Sequence, residues 1–209
     1  MKFLSIDCET TGLDPATDKM LEFAAVELDT NDPPGHGSTF RALIVPYAED
    51  TYPPICLHVL AMHARTGLWT SLYAGMESIS KRPHGTIITI KKDCRERSVI
   101  CHADQLLNAF TCWLKDADIN HNGKLNVGGK NTAFDIAFLK ALDPQWDRMI
   151  RHRTIDPGVL WLNKYDTAVP CTAECMKRAG MTPNVEHSAM DDAMVVGSLI
   201  MSGLMRIKP

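Results

Sequence analysis

The chain has 209 residues, 45% of them hydrophobic and 22% charged, which predicts one globular domain over residues 1–209. Its formal net charge of -3 excludes a protein that coats nucleic acid with a generally basic surface, so affinity for nucleic acid has to come from a local patch or from metal ions. Seven cysteines without a CxxC pair, and the lack of a signal peptide or a long apolar run, favour a reduced, soluble, cytoplasmic protein with no membrane contact.

Three β-rich runs open the chain, at residues 2–9, 20–28 and 38–45. Turn-forming residues separate these runs, so we expect them to pair as consecutive antiparallel strands in a meander. Apolar residues at helical spacing then predict a short helix at 54–63 and a stronger one at 103–115.

Residues 80–98 differ from their surroundings in charge. They surround the β-like sequence GTIITI with six basic residues: Lys81, Arg82, Lys91, Lys92, Arg95 and Arg97. This composition predicts an insertion that is either a basic hairpin or a mobile loop.

Alternating strands and helices follow in the second half of the chain. Residues 125–128 are typical of a short buried strand that leads into a helix at 132–142, and residues 154–162 begin another strand-to-helix unit. Two further helices are expected at 171–179 and 188–204. The order of these elements predicts an α/β fold in which helices flank a mixed sheet.

The first strand ends in two acidic residues, Asp7 and Glu9, which the two-residue repeat of a strand places on one face. Like charges at neighbouring positions repel, and burial raises the cost, so a buried pair requires a cation. A hard divalent metal ion meets that requirement. The alternative is a pair of solvated acids at an exposed strand end.

The helix predicted at 132–142 brings another acid to an apolar surface. Its apolar stripe consists of Phe134, Phe138, Ala141 and Leu142. Asp135 falls about 60° from the centre of that stripe, where an acid is usually paired, capping a helix or bound to a metal.

The last helix repeats this arrangement. Its predicted buried stripe consists of Ala189, Ala193, Val196 and Ile200. Asp192 lies about 60° from this stripe and Asp191 on the opposite side, so Asp192 is the predicted functional acid. His187 precedes the helix and is either a catalytic residue or a surface or capping residue.

Three separate segments thus bring acids to the edge of an apolar surface, as oxygen-ligated Mg²⁺ or Mn²⁺ sites require. The four carboxylates and the histidine fit a site that hydrolyses phosphodiesters with two metal ions about 3.5 to 4 Å apart. A structural Ca²⁺ site would explain the clustered oxygens but not His187.

These residues lie in three motifs: DxETTGL at 7–13, NxxFDxxFL at 131–139 and HxAxxD at 187–192. In this order they resemble the DEDDh 3′-to-5′ exonuclease family, which includes proofreading exonucleases, ribonuclease T and oligoribonuclease. The resemblance implies a ribonuclease H-like fold with a five-stranded mixed sheet, an antiparallel meander followed by parallel strands. It also implies two bound Mg²⁺ or Mn²⁺ ions.

The resemblance assigns roles to individual residues. Asp7, Glu9, Asp135 and Asp192 would hold the metals, and His187 would act as general base on the attacking water, since a pKa of about 6.5 lets it accept a proton near neutrality. The substrate-binding candidates are Thr10, Thr11, Gly12, Leu13, His63, Asn131, Phe134 and Arg153.

Two of these candidates come from a closer similarity to oligoribonuclease. AMHARTGL at 61–68 resembles the segment whose histidine contacts a substrate base, which makes His63 a candidate, although a helix-end histidine without that role is the alternative. RHRTIDPG at 151–158 resembles the segment that caps the 5′ phosphate of a dinucleotide, where Arg153 matches and His152 replaces a tyrosine.

The leading hypothesis is therefore a metal-dependent 3′-to-5′ exonuclease that releases nucleoside monophosphates from single-stranded DNA or short RNA. An oligoribonuclease specialised for very short RNA is an alternative, and a non-catalytic module that binds nucleic acid or a polymerase is another. The expected partners are the 3′ ends of single strands, which the basic 80–98 insertion would guide. A polymerase and a second copy of the chain, in a homodimer, are further candidate partners.

Overall fold

The computed structural model describes residues 1–32, 37–47, 52, 55–93, 95–119, 123–183 and 188–207. The described residues form six strands: β1 (Lys2–Thr10), β2 (Met20–Asp29), β3 (Thr39–Ile44), β4 (Ile88–Lys92), β5 (Glu96–Cys101) and β6 (Val127–Gly128). The α-helices in this part of the chain are α1 (Leu57–Arg65), α2 (Leu68–Ser80), α3 (Leu106–Asp116), α4 (Thr132–Leu142), α5 (Trp146–Met149), α6 (Pro157–Leu160), α7 (Thr172–Arg178) and α8 (Ala189–Ile207). Among these described helices, none combines the length and the apolar character needed to cross a bilayer.

The strands form one mixed sheet in the order β4-β5-β3-β2-β1-β6. β1, β2 and β3 pair antiparallel, as the predicted meander requires, while β5 lies parallel to β3 and β6 parallel to β1. The predicted α/β fold with a mixed sheet is confirmed. The predicted strand that opens the 154–162 unit is reduced to one parallel bridge, between Gly128 and Ile155, because Pro157 at the start of α6 cannot donate to a ladder.

The sheet has six strands instead of the expected five, because β4 and β5 add two strands while the strand expected at residue 154 is reduced to a bridge. β4 pairs antiparallel with β5, so the hairpin alternative is the one observed. Three of its cations are paired with carboxylates: Lys91 Nζ lies 2.5 Å from Glu96 Oε2, and Lys92 and the buried Arg97 both bind Asp116. The segment therefore presents less uncompensated positive charge than its composition predicts.

Helices cover both faces of the sheet. On one face, α3, α4 and α5 pack over a core that contains Phe23, Phe110 and Trp146. On the other face, α8 buries the predicted stripe of Ala189, Ala193, Val196 and Ile200 against β1 and β2. At Gly197, α8 packs closely on the sheet, because a Cβ there would stand 2.5 Å from Leu28 Cδ1.

The buried face of α4 differs from the predicted stripe. The buried residues are Thr132, Asp135, Phe138 and Leu139, so the face is turned toward Asp135. Phe134 is half-buried and its ring contacts that of Phe138 at a tilt of 54°, with ring centroids 4.9 Å apart. The helical spacing of the apolar residues placed Asp135 beside the core, whereas the structure places it inside the core.

Candidate active site

The acidic residues meet at the carboxyl end of β1. One oxygen from each of Asp7, Glu9 and Asp192 lies within 4.8 Å of the other two. Asp7 and Glu9 share the face of β1 that α8 covers, and the first turn of α8 supplies Asp192. The structure thus brings together three of the four predicted carboxylates as a group that could hold a metal ion.

The fourth acid, Asp135, comes from α4 on the other face of the sheet. Only 3% of its surface is exposed. Burial raises the pKa of Asp135 to about 7, and the neighbouring thiol and backbone N–H of Cys8 limit the rise. Its charge in turn helps to raise the pKa of Asp7, so it lies beside the three-carboxylate group.

The electrostatics of the cluster favour a cation. Burial, together with the charges of Glu22 and Asp192, raises the pKa of Glu9 to about 9, and burial with the charge of Asp135 raises the pKa of Asp7 well above its usual value. Close carboxylates that cannot be solvated need positive charge between them to remain ionised. A donor set made only of carboxylate oxygens fits a hard divalent ion such as Mg²⁺ or Mn²⁺.

Asp191 and Asp192 occupy different environments, as the helical count predicts. Asp192 is half-buried and belongs to the three-carboxylate group, whereas Asp191 is exposed. His187 lies outside the described residues, which resume at Ser188. Its position relative to the acids is therefore given by sequence alone, five residues before Asp192.

The side chains of the DxETTGL motif mostly shape its turn. Thr10 Oγ1 donates to the carbonyl oxygen of Gly12 at 2.6 Å, and Thr11 Oγ1 donates to Asp18 Oδ1 at 3.0 Å. A Cβ at Gly12 would come within 2.4 Å of Asp18 Oδ2, so a side chain there would displace the carboxylate that Thr11 binds. Leu13 follows the turn with 84% of its surface exposed, the position expected of a residue that contacts a base.

The structure places His63, the predicted base contact, with its side chain fully buried. Its Nε2 lies 3.1 Å from the carbonyl oxygen of Thr10, and its Nδ1 lies 3.7 Å from Glu9 Oε2. A buried ring cannot meet a substrate base without a rearrangement of α1. In this structure, His63 joins α1 to the strand end that carries the acids.

The remaining substrate candidates lie around the N-terminus of α4. Asn131 has a left-handed backbone with φ 57°, and its N–H donates to Asp156 Oδ2 at 3.0 Å, which ties α4 to α6. Phe134 exposes part of its ring. Arg153 is exposed in the segment that precedes α6. Of the eight candidates, Leu13, Asn131, Phe134 and Arg153 therefore offer side chains to a ligand.

Comparisons with known proteins give a family match over part of the chain and a match in fold over nearly all of it. Residues 4–62 match a family model of the ribonuclease T type, described as an exonuclease. The nuclease domain of 3'hExo, a DEDDh family member solved with bound rAMP, superposes with a TM-score of 0.64 at 15% identity, covering 99% of this chain and 92% of that domain. The resemblance to the DEDDh exonucleases is confirmed.

Two other DEDDh-like structures extend the match in fold. Cell-death related nuclease 4 gives a TM-score of 0.63 at 14% identity and covers 99% of this chain and 64% of its own. E. coli exonuclease I, in a zinc-bound complex with single-stranded DNA, gives 0.59 at 17% identity, and the match spans 41% of its length. No curated protein sequence is significantly similar to this chain. At these identities the likeness establishes the ribonuclease H-like exonuclease fold.

A fifth acid, Glu22, lies near the cluster but outside the three motifs, and the sequence did not predict its place there. This residue lies opposite Glu9 in the β1–β2 register and is 1% exposed. It forms an ion pair with Arg41 of β3. A charged residue inside the otherwise apolar run MLEFAAV was the available signal, because a buried acid in a central strand requires a partner.

The raised pKa values predict how stability depends on pH in the metal-free protein. Folding raises the pKa of Glu9 from 4.5 to about 9 and that of Asp135 from 3.8 to about 7, so the folded chain binds these protons more tightly than the unfolded chain. Stability should therefore fall as pH rises from about 5 to 9. Melting curves in a chelator at several pH values would test this. Mn²⁺ should remove most of the decline, and a flat profile without metal would contradict the prediction.

The two acids of α8 provide a second test. Asp192→Asn is expected to weaken Mn²⁺ binding and to abolish most nuclease activity, because it removes an oxygen from the three-carboxylate group. Asp191→Asn makes the same chemical change on an exposed side chain and should leave both properties near wild type. Calorimetric titration with Mn²⁺ and cleavage of a labelled oligonucleotide measure the two effects. Equal losses in the two variants would contradict the assignment.

Proposed function

We propose that this protein is a metal-dependent 3′-to-5′ exonuclease that releases nucleoside monophosphates from the 3′ end of single-stranded DNA or short RNA. The observation that carries the proposal is the group of Asp7, Glu9 and Asp192 beside the buried Asp135, at the strand end where the exonuclease family model matches. Related folds bind rAMP and single-stranded DNA, according to the descriptions of 3'hExo and E. coli exonuclease I, which supports this choice of substrate.

The four carboxylates would hold two divalent ions, Mg²⁺ or Mn²⁺. When bound, such ions supply charge stabilisation to the phosphate and lower the pKa of a water molecule. The chain's own residues bind and orient the nucleotide. Exposed Leu13 would contact the terminal base, and the partly exposed Phe134 offers a second apolar surface on α4.

His187 would accept the proton of the attacking water as the bond between phosphorus and the leaving 3′ oxygen breaks. Its place in the HxAxxD motif, five residues before Asp192, supports this role. Neutral imidazole is a suitable acceptor near pH 7, since its usual pKa is about 6.5. His63 is not a substitute for this function, because its ring is buried against the Thr10 carbonyl.

The test is cleavage of matched DNA and RNA strands of two to thirty nucleotides, each carrying a 5′ label, with Mg²⁺, Mn²⁺ or a chelator. A 3′-to-5′ exonuclease should produce a ladder of labelled products that shortens with time and a release of nucleoside monophosphates. A circular single strand is the control and should stay intact. Cleavage of the circle, or no cleavage of any linear strand with either metal, would contradict the proposal.

The length series also separates the alternatives. An oligoribonuclease should favour RNA of two to four nucleotides, and a non-catalytic module should bind strands without shortening them.

A further inference from the structure

Glu22 is a buried carboxylate for which the proposed chemistry has no direct use. It lies in β2, opposite Glu9 of β1, and 1% of its surface is exposed. The same face of β2 carries Ala24 and Val26, which pack against α8. An apolar residue at position 22 would continue that surface without the cost of burying a charge beside other acids.

The contacts of Glu22 connect three elements of the fold. Its Oε1 accepts a hydrogen bond from Arg41 Nε of β3. Its Oε2 accepts a long hydrogen bond, 3.4 Å, from the backbone N–H of Ala189, the first residue of α8. The second contact satisfies one of the N–H groups that the start of a helix leaves without an intrahelical acceptor, and it places negative charge at the positive end of the helix.

The contact with Ala189 lies in the first turn of α8, which also carries Asp192 of the three-carboxylate group. The N–H of Asp192 donates to the carbonyl oxygen of Ser188 at 2.9 Å. The position of Asp192 relative to Asp7 and Glu9 depends on where this turn sits over the sheet. Glu22 is held in turn by Arg41, whose side chain lies on the same face of the sheet.

We propose that Glu22 is a positioning residue for the metal site: it ties the first turn of α8 to β2 and so holds the carboxylate of Asp192 beside those of Asp7 and Glu9. This inference rests on the proposed metal-dependent exonuclease function. Residues that orient metal ligands without contacting the metal commonly alter affinity by about 10- to 100-fold when they are replaced.

The experiment compares Mn²⁺ affinity, measured by calorimetry on the protein without nucleic acid, with the melting temperature and with kcat and KM for a labelled oligonucleotide. Glu22→Ala should weaken Mn²⁺ binding by about tenfold or more. Glu22→Gln keeps an oxygen that can accept from Ala189 and should lose less. At saturating Mn²⁺, both variants should lower kcat with KM near wild type, since the exposed Leu13 and Phe134 are unchanged.

Glu27→Gln is the matched control. Glu27 lies in the same strand, is also buried at 8% exposure, and is paired with Lys2 Nζ at 2.8 Å, but it lies opposite Leu4, far along β1 from Glu9. This variant should melt at a lower temperature and yet bind Mn²⁺ as the wild type does. The difference separates positioning from a general loss of stability.

Wild-type Mn²⁺ affinity in both Glu22 variants would overturn the inference, and so would an equal loss of affinity in Glu27→Gln. If Glu22→Ala does not fold, Glu22→Gln alone decides between these outcomes. A wild-type protein that binds no Mn²⁺ and cleaves no strand would instead overturn the proposed function, and the inference with it.

Discussion

Asp7→Asn is expected to lower the rate of metal-dependent hydrolysis by roughly 10³-fold or more, since a lost metal ligand removes several kcal/mol of charge stabilisation from the transition state. The same change should raise the melting temperature of the metal-free protein. Burial and the charge of Asp135 raise the pKa of Asp7, so ionising this group costs free energy in the folded state, and a neutral amide of the same shape avoids that cost.

Three measurements on Asp7→Asn test this expectation: cleavage of a labelled strand with Mn²⁺, Mn²⁺ affinity, and melting in a chelator near pH 8. Asp191→Asn serves as the control, because it makes the same substitution on an exposed carboxylate. Loss of activity with a raised melting temperature is the signature of a residue retained for metal binding at the expense of stability. An active variant, or one that melts earlier than wild type without metal, would show that Asp7 has a structural role.

His187→Ala is expected to reduce kcat by roughly 10²- to 10⁴-fold with little change in KM, because a general base contributes mainly in the transition state. Mn²⁺ affinity should stay near wild type, as all four carboxylates remain. In the wild type, kcat should fall as pH drops through the pKa of the histidine, because imidazolium cannot accept a proton. The variant should lose this acid limb.

The control for this substitution is His58→Ala, a change at an exposed histidine of α1. If His187 were only a helix cap, its replacement would lower the melting temperature and leave the shape of the pH-rate profile intact. Rate profiles between pH 5 and 9 and melting curves on all three proteins distinguish the two roles. A variant that melts early but keeps the wild-type acid limb would remove His187 from the mechanism.

The sequence was most informative where local periodicity determines structure. The meander follows from three β-rich runs separated by turns, and the 100° step of a helix distinguished Asp192 from Asp191. The same rule was less accurate for α4, where the buried face includes Asp135 and Thr132. Apolar residues alone did not define that face, because the helix packs its acid against the end of β1.

Features that depend on tertiary packing were not accessible from the sequence. The burial of His63 depends on how α1 lies over β1, and the contacts of Glu22 join three elements that are far apart in the chain. Cations of the 80–98 hairpin form ion pairs with carboxylates that include Asp116, at the end of α3. In each case the sequence shows the residue, but the partner that it contacts depends on how another element of the fold packs against it.

The glycine at position 197 has a consequence for the spacing of the proposed metal ligands. A Cβ there would stand 2.5 Å from Leu28 Cδ1 and 3.1 Å from the Cβ of Ser5, so even alanine requires α8 to move outward or Leu28 to repack. Asp192 is five residues earlier on the same rigid helix, while Asp7 is fixed in the strand below. Gly197 therefore lets α8 pack directly over Ser5 of β1, the strand that carries Asp7 and Glu9, so the fit of a residue outside the acid cluster bears on how near Asp192 lies to them.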